Sequence, residues 1–334
     1  MKNSIGTNVI LTLFGESHGD EIGAVLDGMA PGIEVREEFI AEQLSKRRPQ
    51  GPTETARVER DNFRIVSGVF NGFTTGAPIC IIIPNENKRS ADYEAMRGIA
   101  RPSHADYTAH IKYCGFEDYR GGGHFSGRIT AGIVAAGAIA LKALEKKGVR
   151  IETSILSCGG GSDVEAEIMS AKNDLDSVGG KVQTVITGLQ AGVGEPWFDS
   201  LEGVIAKALF AIGGVKGVEF GAGFKFSEMR GSEANDPFCI RDGKICTTTN
   251  NNGGINGGIS NGMPIVFNTA VKPTPSIAKE QQSVDFITGE ECKLEIKGRH
   301  DPAIVRRICI VITSLVAIVL CDMLSLKGGT DSLR

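Results

Sequence analysis

Three of the five histidines in this 334-residue chain lie in short polar segments that look like pieces of a reactive site. They are Phe14-Gly15-Glu16-Ser17-His18-Gly19, Arg101-Pro102-Ser103-His104-Ala105-Asp106-Tyr107 and Gly298-Arg299-His300-Asp301-Pro302. Each sets an imidazole beside Ser, Arg or Asp. Imidazole exchanges protons near neutral pH, and guanidinium groups bind phosphate and carboxylate in paired geometry. Proton transfer on an anionic substrate is the chemistry this combination suits. The segments span almost the whole chain, so one pocket must gather them by folding.

Other segments carry weaker signals. Arg120-Gly121-Gly122-Gly123-His124-Phe125-Ser126-Gly127-Arg128 runs into an Ala-rich helical stretch. Its glycines let backbone approach a ligand, and a helix N-terminus suits phosphate. It is neither a Walker A loop nor a dinucleotide fingerprint, so a structural turn and an anion site stay equally open. Arg47, Arg48, Arg57, Arg60, Arg101, Arg120, Arg128 and Arg299 lie in or near these motifs. Singly each reads as a solvated charge; beside the histidine motifs they read as an anion pocket. Lys272-Pro273-Thr274-Pro275-Ser276 alone would be a Pro-rich surface turn, and His110, outside any motif, a structural histidine.

The elements that must position these residues are mixed. A strand is expected over 9–14, ending at the first histidine motif, and an amphipathic helix over 35–46, delivering Arg47 and Arg48. Strands are expected over 63–70, 78–83 and 181–189. Helices are expected over 127–146 and 199–212, the latter capped by Asp199 with Glu202 three residues on. The stretch 250–262 reads as a polar Gly-rich loop. The apolar run 308–321 is too short for a membrane span of about twenty residues and reads as a buried helix. The irregular alternation predicts an α+β fold in a single domain over 1–334.

Composition narrows the function classes. A net charge of −4 and 41% hydrophobic residues suit a globular protein with a sizeable core and no basic surface for nucleic acid. Eight cysteines without a CxxC or Cys/His cluster give no zinc signal and read as reduced core thiols of a cytoplasmic protein. The first residues are no signal peptide. Neither a metal nor a membrane partner is expected.

Taken in order, the motifs resemble the chorismate synthase family from end to end. The resemblance rests on FGESHG (14–19), RRP (47–49), SGVFNGFTTGAP (67–78), RPSHADY (101–107), YRGGG (119–123), DSVGG (176–180), GVGEPWFD (192–199), GSEAND (231–236), NGGINGGISNG (252–262), KPTPS (272–276) and GRHDP (298–302). It implies a βαβ sandwich with two antiparallel sheets and surrounding helices, assembled as a homotetramer. It implies anti-1,4-elimination of phosphate from 5-enolpyruvylshikimate 3-phosphate, with reduced FMN and no net redox change. Whether NADPH reduces the flavin on the protein or an external flavin reductase does so stays open.

By the same resemblance, His18 protonates the leaving phosphate, His104 protonates the reduced flavin, and Asp301 works with the flavin in removing the ring proton. Ser17, Arg47, Arg57, Arg101, Gly127, Arg128 and Arg299 correspond to substrate-side positions. His124, Phe125, Ser126, Ala234, Asn235, Gly257, Lys272, Pro273, Thr274, Pro275, Ser276 and Arg299 correspond to flavin contacts.

Several positions depart from the family pattern. A substrate-side Arg is replaced by Thr53, and an Arg and a Ser of the Gly-rich segment by His124 and Phe125. Ser103 replaces a Gly, at a cost of about 1 kcal/mol if φ is positive there. Thr313 stands where a Glu is expected. Two alternatives follow from the residues: a flavin- or anion-binding homologue with impaired catalysis, and a phosphate-ester hydrolase.

Overall fold

The computed structural model describes residues 2–49, 60–86, 96–296, 301–328 and 333. A five-stranded sheet has the order Ser4–Ile5, Ile10–Gly15, Glu21–Asp27, Ile79–Pro84, Arg64–Ser67, with every neighbouring pair antiparallel. A four-stranded sheet has the order Val215–Phe220, Ile265–Val271, Gly180–Thr187, Arg150–Cys158, again antiparallel throughout. Helix Thr130–Lys146 packs on the first sheet, helix Val305–Gly328 on the second, and the two helices pack on each other. The chain is therefore α+β, with its core between the two sheets.

Sequence composition explains this layering. Helix Thr130–Lys146 is rich in Ala and carries Gly132 and Gly137. A Cβ on Gly137 would stand 2.7 Å from the Ser314 backbone, so the close approach of the two helices requires glycine there. Helix Val305–Gly328 is apolar on all sides and is buried accordingly. It extends well beyond the 308–321 run. Gly127–Lys146 and Val305–Gly328 are long and apolar enough to cross a membrane, and both are largely buried inside the protein. Asp322, in the apolar C-terminal helix, accepts backbone N–H bonds from Thr7 (2.9 Å), Asn8 (2.7 Å) and Val9 (2.9 Å). It thus ties the chain start to the C-terminal helix and satisfies donors that burial would otherwise strand.

Three local expectations are corrected. Ser200, rather than Asp199, caps the helix Leu201–Ala211, its hydroxyl accepting from Gly203 N at 3.1 Å. The expected strand 63–70 breaks at Gly68 (φ 80°) into Arg64–Ser67 and Val69–Phe70. The second piece forms a hairpin with Phe73–Thr74 through Asn71-Gly72, both at positive φ. The Gly-rich stretch contains a tight hairpin, Ile255–Asn256 with Ile259–Ser260, turning on Gly257 and Gly258 at φ 61° and 85°.

Candidate active site

The strand Ile10–Gly15 ends at a cavity of about 830 Å³. Phe14 to Glu16, Arg101, His104, the Gly-rich segment and Lys272 to Ser276 all line it. Four segments from distant parts of the chain thus meet there. A smaller pocket of about 250 Å³ shares Ser126, Gly127, Gly213 and Ile304 with this cavity. Its walls carry Arg47, Arg48, Asp61, Arg128 and Arg307.

The Gly-rich segment is both a structural turn and a ligand-facing wall. Gly121, Gly122 and Gly123 take φ of 60°, 82° and 52°, a left-handed run that other residues adopt at a cost. Gly121 lies directly against the His18 ring, and Gly123 against the Asp118 carbonyl, so neither has room for a Cβ. A Cβ at Gly122 would have nothing nearer than 3.9 Å, so that backbone borders the open cavity. Ser126 caps the following turn, its hydroxyl accepting from Arg128 N at 3.3 Å. His124 donates from Nδ1 to the Gly15 carbonyl at 2.8 Å, locking the Gly-rich segment to the strand end. Phe125 also lines the cavity and stacks edge-on against Tyr113.

His18 and Ser17 are buried beneath this segment, and Ser17 N donates to the Gly123 carbonyl at 3.0 Å. Asp118, nearby, is held below the usual carboxylate range by its hydrogen bond to Arg120, opposed by burial, with the His18 charge a smaller contribution.

His104 is held at both ring nitrogens. Nδ1 faces the Pro102 carbonyl at 3.1 Å, an acceptor, so it carries the hydrogen; Nε2 accepts from the Ser276 hydroxyl at 3.0 Å. Burial, then the Arg101 charge, lower its pKa from 6.5 to about 4, against the raising effect of Asp106. The imidazole is therefore neutral at pH 7. Lys272 Nζ donates to the Ser103 carbonyl at 2.8 Å, joining the same two segments. Ser103 does have positive φ, 62°, so the strain expected of a non-Gly residue there is present.

The His104 environment predicts a pH dependence of stability. The unfolded histidine takes a proton near pH 6.5, the folded one only near pH 4. Between these values the unfolded state binds more protons. Stability is thus fully present above pH 6.5 and is lost as pH falls toward 4, by about 3 kcal/mol in all. Urea midpoints at pH 7 and pH 4.5 measure this. The wild type should lose more between them than His104→Gln, and equal losses would refute it.

The arginines are largely paired with carboxylates. Arg101 makes a two-pronged bond to Asp106, at 2.8 and 2.7 Å. Arg128 is buried and bonds Asp61, Asn85 Oδ1 (3.0 Å) and the Pro84 carbonyl (3.2 Å). Arg47 bonds the other Asp61 oxygen (3.0 Å) and the Gly127 carbonyl (3.2 Å). Asp61 thus bridges two candidate substrate arginines, a role the sequence reading missed. Its φ of 50° marks a turn that Asp tolerates, the one local signal it leaves. Asp301 is buried and ion-paired with Arg307, which reaches the smaller pocket.

Not every expected residue joins these cavities. Ser17, His18, Asp301, Ala234, Asn235 and Gly257 line neither; Ala234 ends a short helix, and Gly257 sits at a hairpin turn. Thr53, Arg57, Arg299 and His300 lie outside the described residues. His110 pairs with Glu117 at 3.1 Å and packs against Phe286, as a structural histidine would. No cluster of three metal-ligating side chains occurs among the described residues.

Known proteins resemble this chain along nearly its whole length. A protein of Thermococcus gammatolerans described as chorismate synthase is 46% identical over 96% of each chain. One of Dehalococcoides mccartyi with the same description is 47% identical over 98% of each. A solved structure titled "Crystal Structure of Chorismate Synthase" superposes with a TM-score of 0.77 at 26% identity, covering 98% of this chain and 96% of that one. The family profile described as chorismate synthase matches residues 9–325, and with relatives of this identity and coverage the chain belongs to the chorismate synthase family.

Proposed function

We propose that the cavity and the adjoining arginine pocket carry out the family's reaction, with the residues acting as follows. The protein is a carbon–oxygen lyase acting on a phosphate ester, a chorismate-forming enzyme of aromatic amino-acid biosynthesis. Its small-molecule substrate, 5-enolpyruvylshikimate 3-phosphate, carries one phosphate and two carboxylates. Arg47 and Arg128, together with Arg57 and Arg299, hold these anions, and Ser17 and Gly127 border them. Arg101 already spends its fork on Asp106, so it acts by shaping the wall and setting the charge around His104. His18 gives the proton to the leaving phosphate. Asp301, steadied by Arg307, takes part in removing the ring proton.

The family works with reduced flavin, and the cavity fits FMN. A volume of about 830 Å³ lies within the range of cofactor sites. The Thr274 hydroxyl on its wall is buried without a hydrogen-bond partner among the described residues, and Gly122 leaves room for close backbone approach. His124, Phe125, Ser126 and Lys272 to Ser276 would hold it here; Ala234, Asn235 and Gly257, flavin positions by resemblance, lie off this wall. When bound, reduced flavin lends electron density to the allylic system and recovers it. His104, neutral when the cavity is empty of anions, gains a proton as negative charge arrives beside it. The proton then stands at Nε2, where the Ser276 hydroxyl now accepts.

The finer reading of the assembly follows the family: a βαβ sandwich in one domain, a cytoplasmic homotetramer, and flavin reduced either on the protein by NADPH or by an external reductase. The observation that carries the proposal is the meeting of segments 14–16, 101–106, 121–127 and 272–276 around one cavity. An anaerobic assay tests it, with FMN, dithionite and the substrate, following chorismate absorbance and released phosphate together. Equimolar products that require reduced flavin support the reading. Binding of both ligands without turnover would mean an impaired homologue, and phosphate release without flavin a hydrolase.

A further inference from the structure

Of the eight cysteines, Cys158 and Cys321 are buried in the core, and Cys239 and Cys246 are only part-buried. Cys239 and Cys246 stand directly opposite each other on the antiparallel hairpin Phe238–Arg241 with Lys244–Thr247. Side chains alternate across a strand, so both sulfurs leave the same face of the ribbon. Phe238, Ile240 and Ile245, at the intervening positions, are exposed. The two Sγ atoms are 3.3 Å apart.

The hairpin holds this pairing in place. Its turn is Asp242-Gly243, both at positive φ (52° and 73°), the two-residue type that fixes register in right-twisted strands. Opposed residues on antiparallel strands have Cα atoms about 4.5–5.5 Å apart, inside the range of about 4.4–6.8 Å that a disulfide spans. The sulfurs need only close from 3.3 Å to about 2.05 Å, a movement of side-chain rotation with no change of backbone register. At the base, Asp236 accepts from the Thr249 hydroxyl (2.7 Å), Asn251 N (2.7 Å) and Asn252 N (2.8 Å), so the two legs are already tied together. Little chain freedom is left to lose on closing the bond.

We propose that Cys239 and Cys246 are a reversible disulfide-forming site, closed by hydrogen peroxide. One thiol gives up its proton and, as thiolate, attacks a peroxide oxygen; the O–O bond breaks, the leaving hydroxide takes up that proton as water, and a sulfenic acid remains. The second sulfur displaces the hydroxyl from the first as water, and the S–S bond forms. Two thiols are oxidised by two electrons in all, and one peroxide is reduced to two waters. Exposed cross-strand disulfides of this kind are readily reduced again by thiols. The bond would fix the centre of a hairpin whose base holds Ala234, through Asn251 Nδ2 and the Ala234 carbonyl at 3.1 Å. The proposal stands independently of the assigned active site.

The test uses the full-length protein, reduced, freed of reductant and treated with a slight excess of hydrogen peroxide. The wild type should lose two of its eight thiols and two hydrogen masses, and dithiothreitol should restore both. Trypsin cuts after Arg241 and Lys244, between the cysteines, so the bond appears as two peptides linked only until reduction. Backbone amides of 238–247 should exchange more slowly when oxidised. Cys239→Ser and Cys246→Ser should each abolish the linked pair. Retention of all thiols would overturn the proposal, as would Cys239 and Cys246 peptides recovered unlinked while the exposed Cys114 carries the oxidation.

Discussion

Replacing Asp61 by Ala should destabilise the protein by about 3–5 kcal/mol, the cost of stripping one partner from a buried ion pair. The side chains of Asp61, Arg128 and Arg47 are 2%, 6% and 12% exposed, so water cannot take over the lost charge. Arg128 would keep Asn85 and the Pro84 carbonyl, and Arg47 the Gly127 carbonyl, but both would lose the carboxylate that bridges them. Ala at φ 50° adds about 1 kcal/mol of backbone strain, which Asn tolerates better. Asp61→Asn should therefore lie between wild type and Asp61→Ala in urea unfolding. Inorganic phosphate offers a second reading of the same pocket. An anion able to sit between the two guanidinium groups should raise the midpoint of Asp61→Ala more than that of wild type, since bound ligand stabilises in proportion to its affinity for the folded state. A loss below about 1 kcal/mol in Asp61→Ala would mean that the two arginines do not depend on this carboxylate.

Asp61 also shows where the sequence stops being readable. It meets Arg47 across 14 positions and Arg128 across 67, and no local spacing encodes either meeting. The Arg101–Asp106 pair, five residues apart within one motif, was within reach of the sequence, yet there Arg101 reads as a free ligand-binding group. The motifs themselves were legible because glycine and charge in short runs have few structural uses. Four of them do line one cavity. The α+β build was legible from hydrophobic periods, the antiparallel pairing only from resemblance, and the ends of the elements were not legible. Ser200 and Asp199 both suit a helix cap, and only packing chooses between them. The length of the C-terminal helix was hidden because Asp322 looks like a terminator until its three N–H partners are seen. The flavin positions at Ala234, Asn235 and Gly257 came from resemblance alone, and this chain places them away from the cavity wall.

Removing the imidazole of His18 should lower turnover by about 10²–10⁴-fold, the usual contribution of a positioned acid. The leaving phosphate departs as an anion of high charge, and a proton supplied at that moment is worth more than one supplied earlier or later. His18 is buried, with its ring against Gly121. Asp118, whose carboxyl Arg120 holds below its usual range, lies near it. His104, by contrast, is neutral at pH 7, because burial and the Arg101 charge outweigh Asp106. Truncation to Ala leaves a hole beneath the Gly-rich segment, so His18→Gln, closer in volume, is the cleaner variant. Single-turnover chorismate formation with prereduced flavin separates the chemical step from binding. If His18→Gln is slow at every substrate concentration while substrate affinity and melting temperature hold, the defect lies in proton donation. If its rate stays within a few-fold of wild type, His18 has no part in the elimination, and the proton comes from another group.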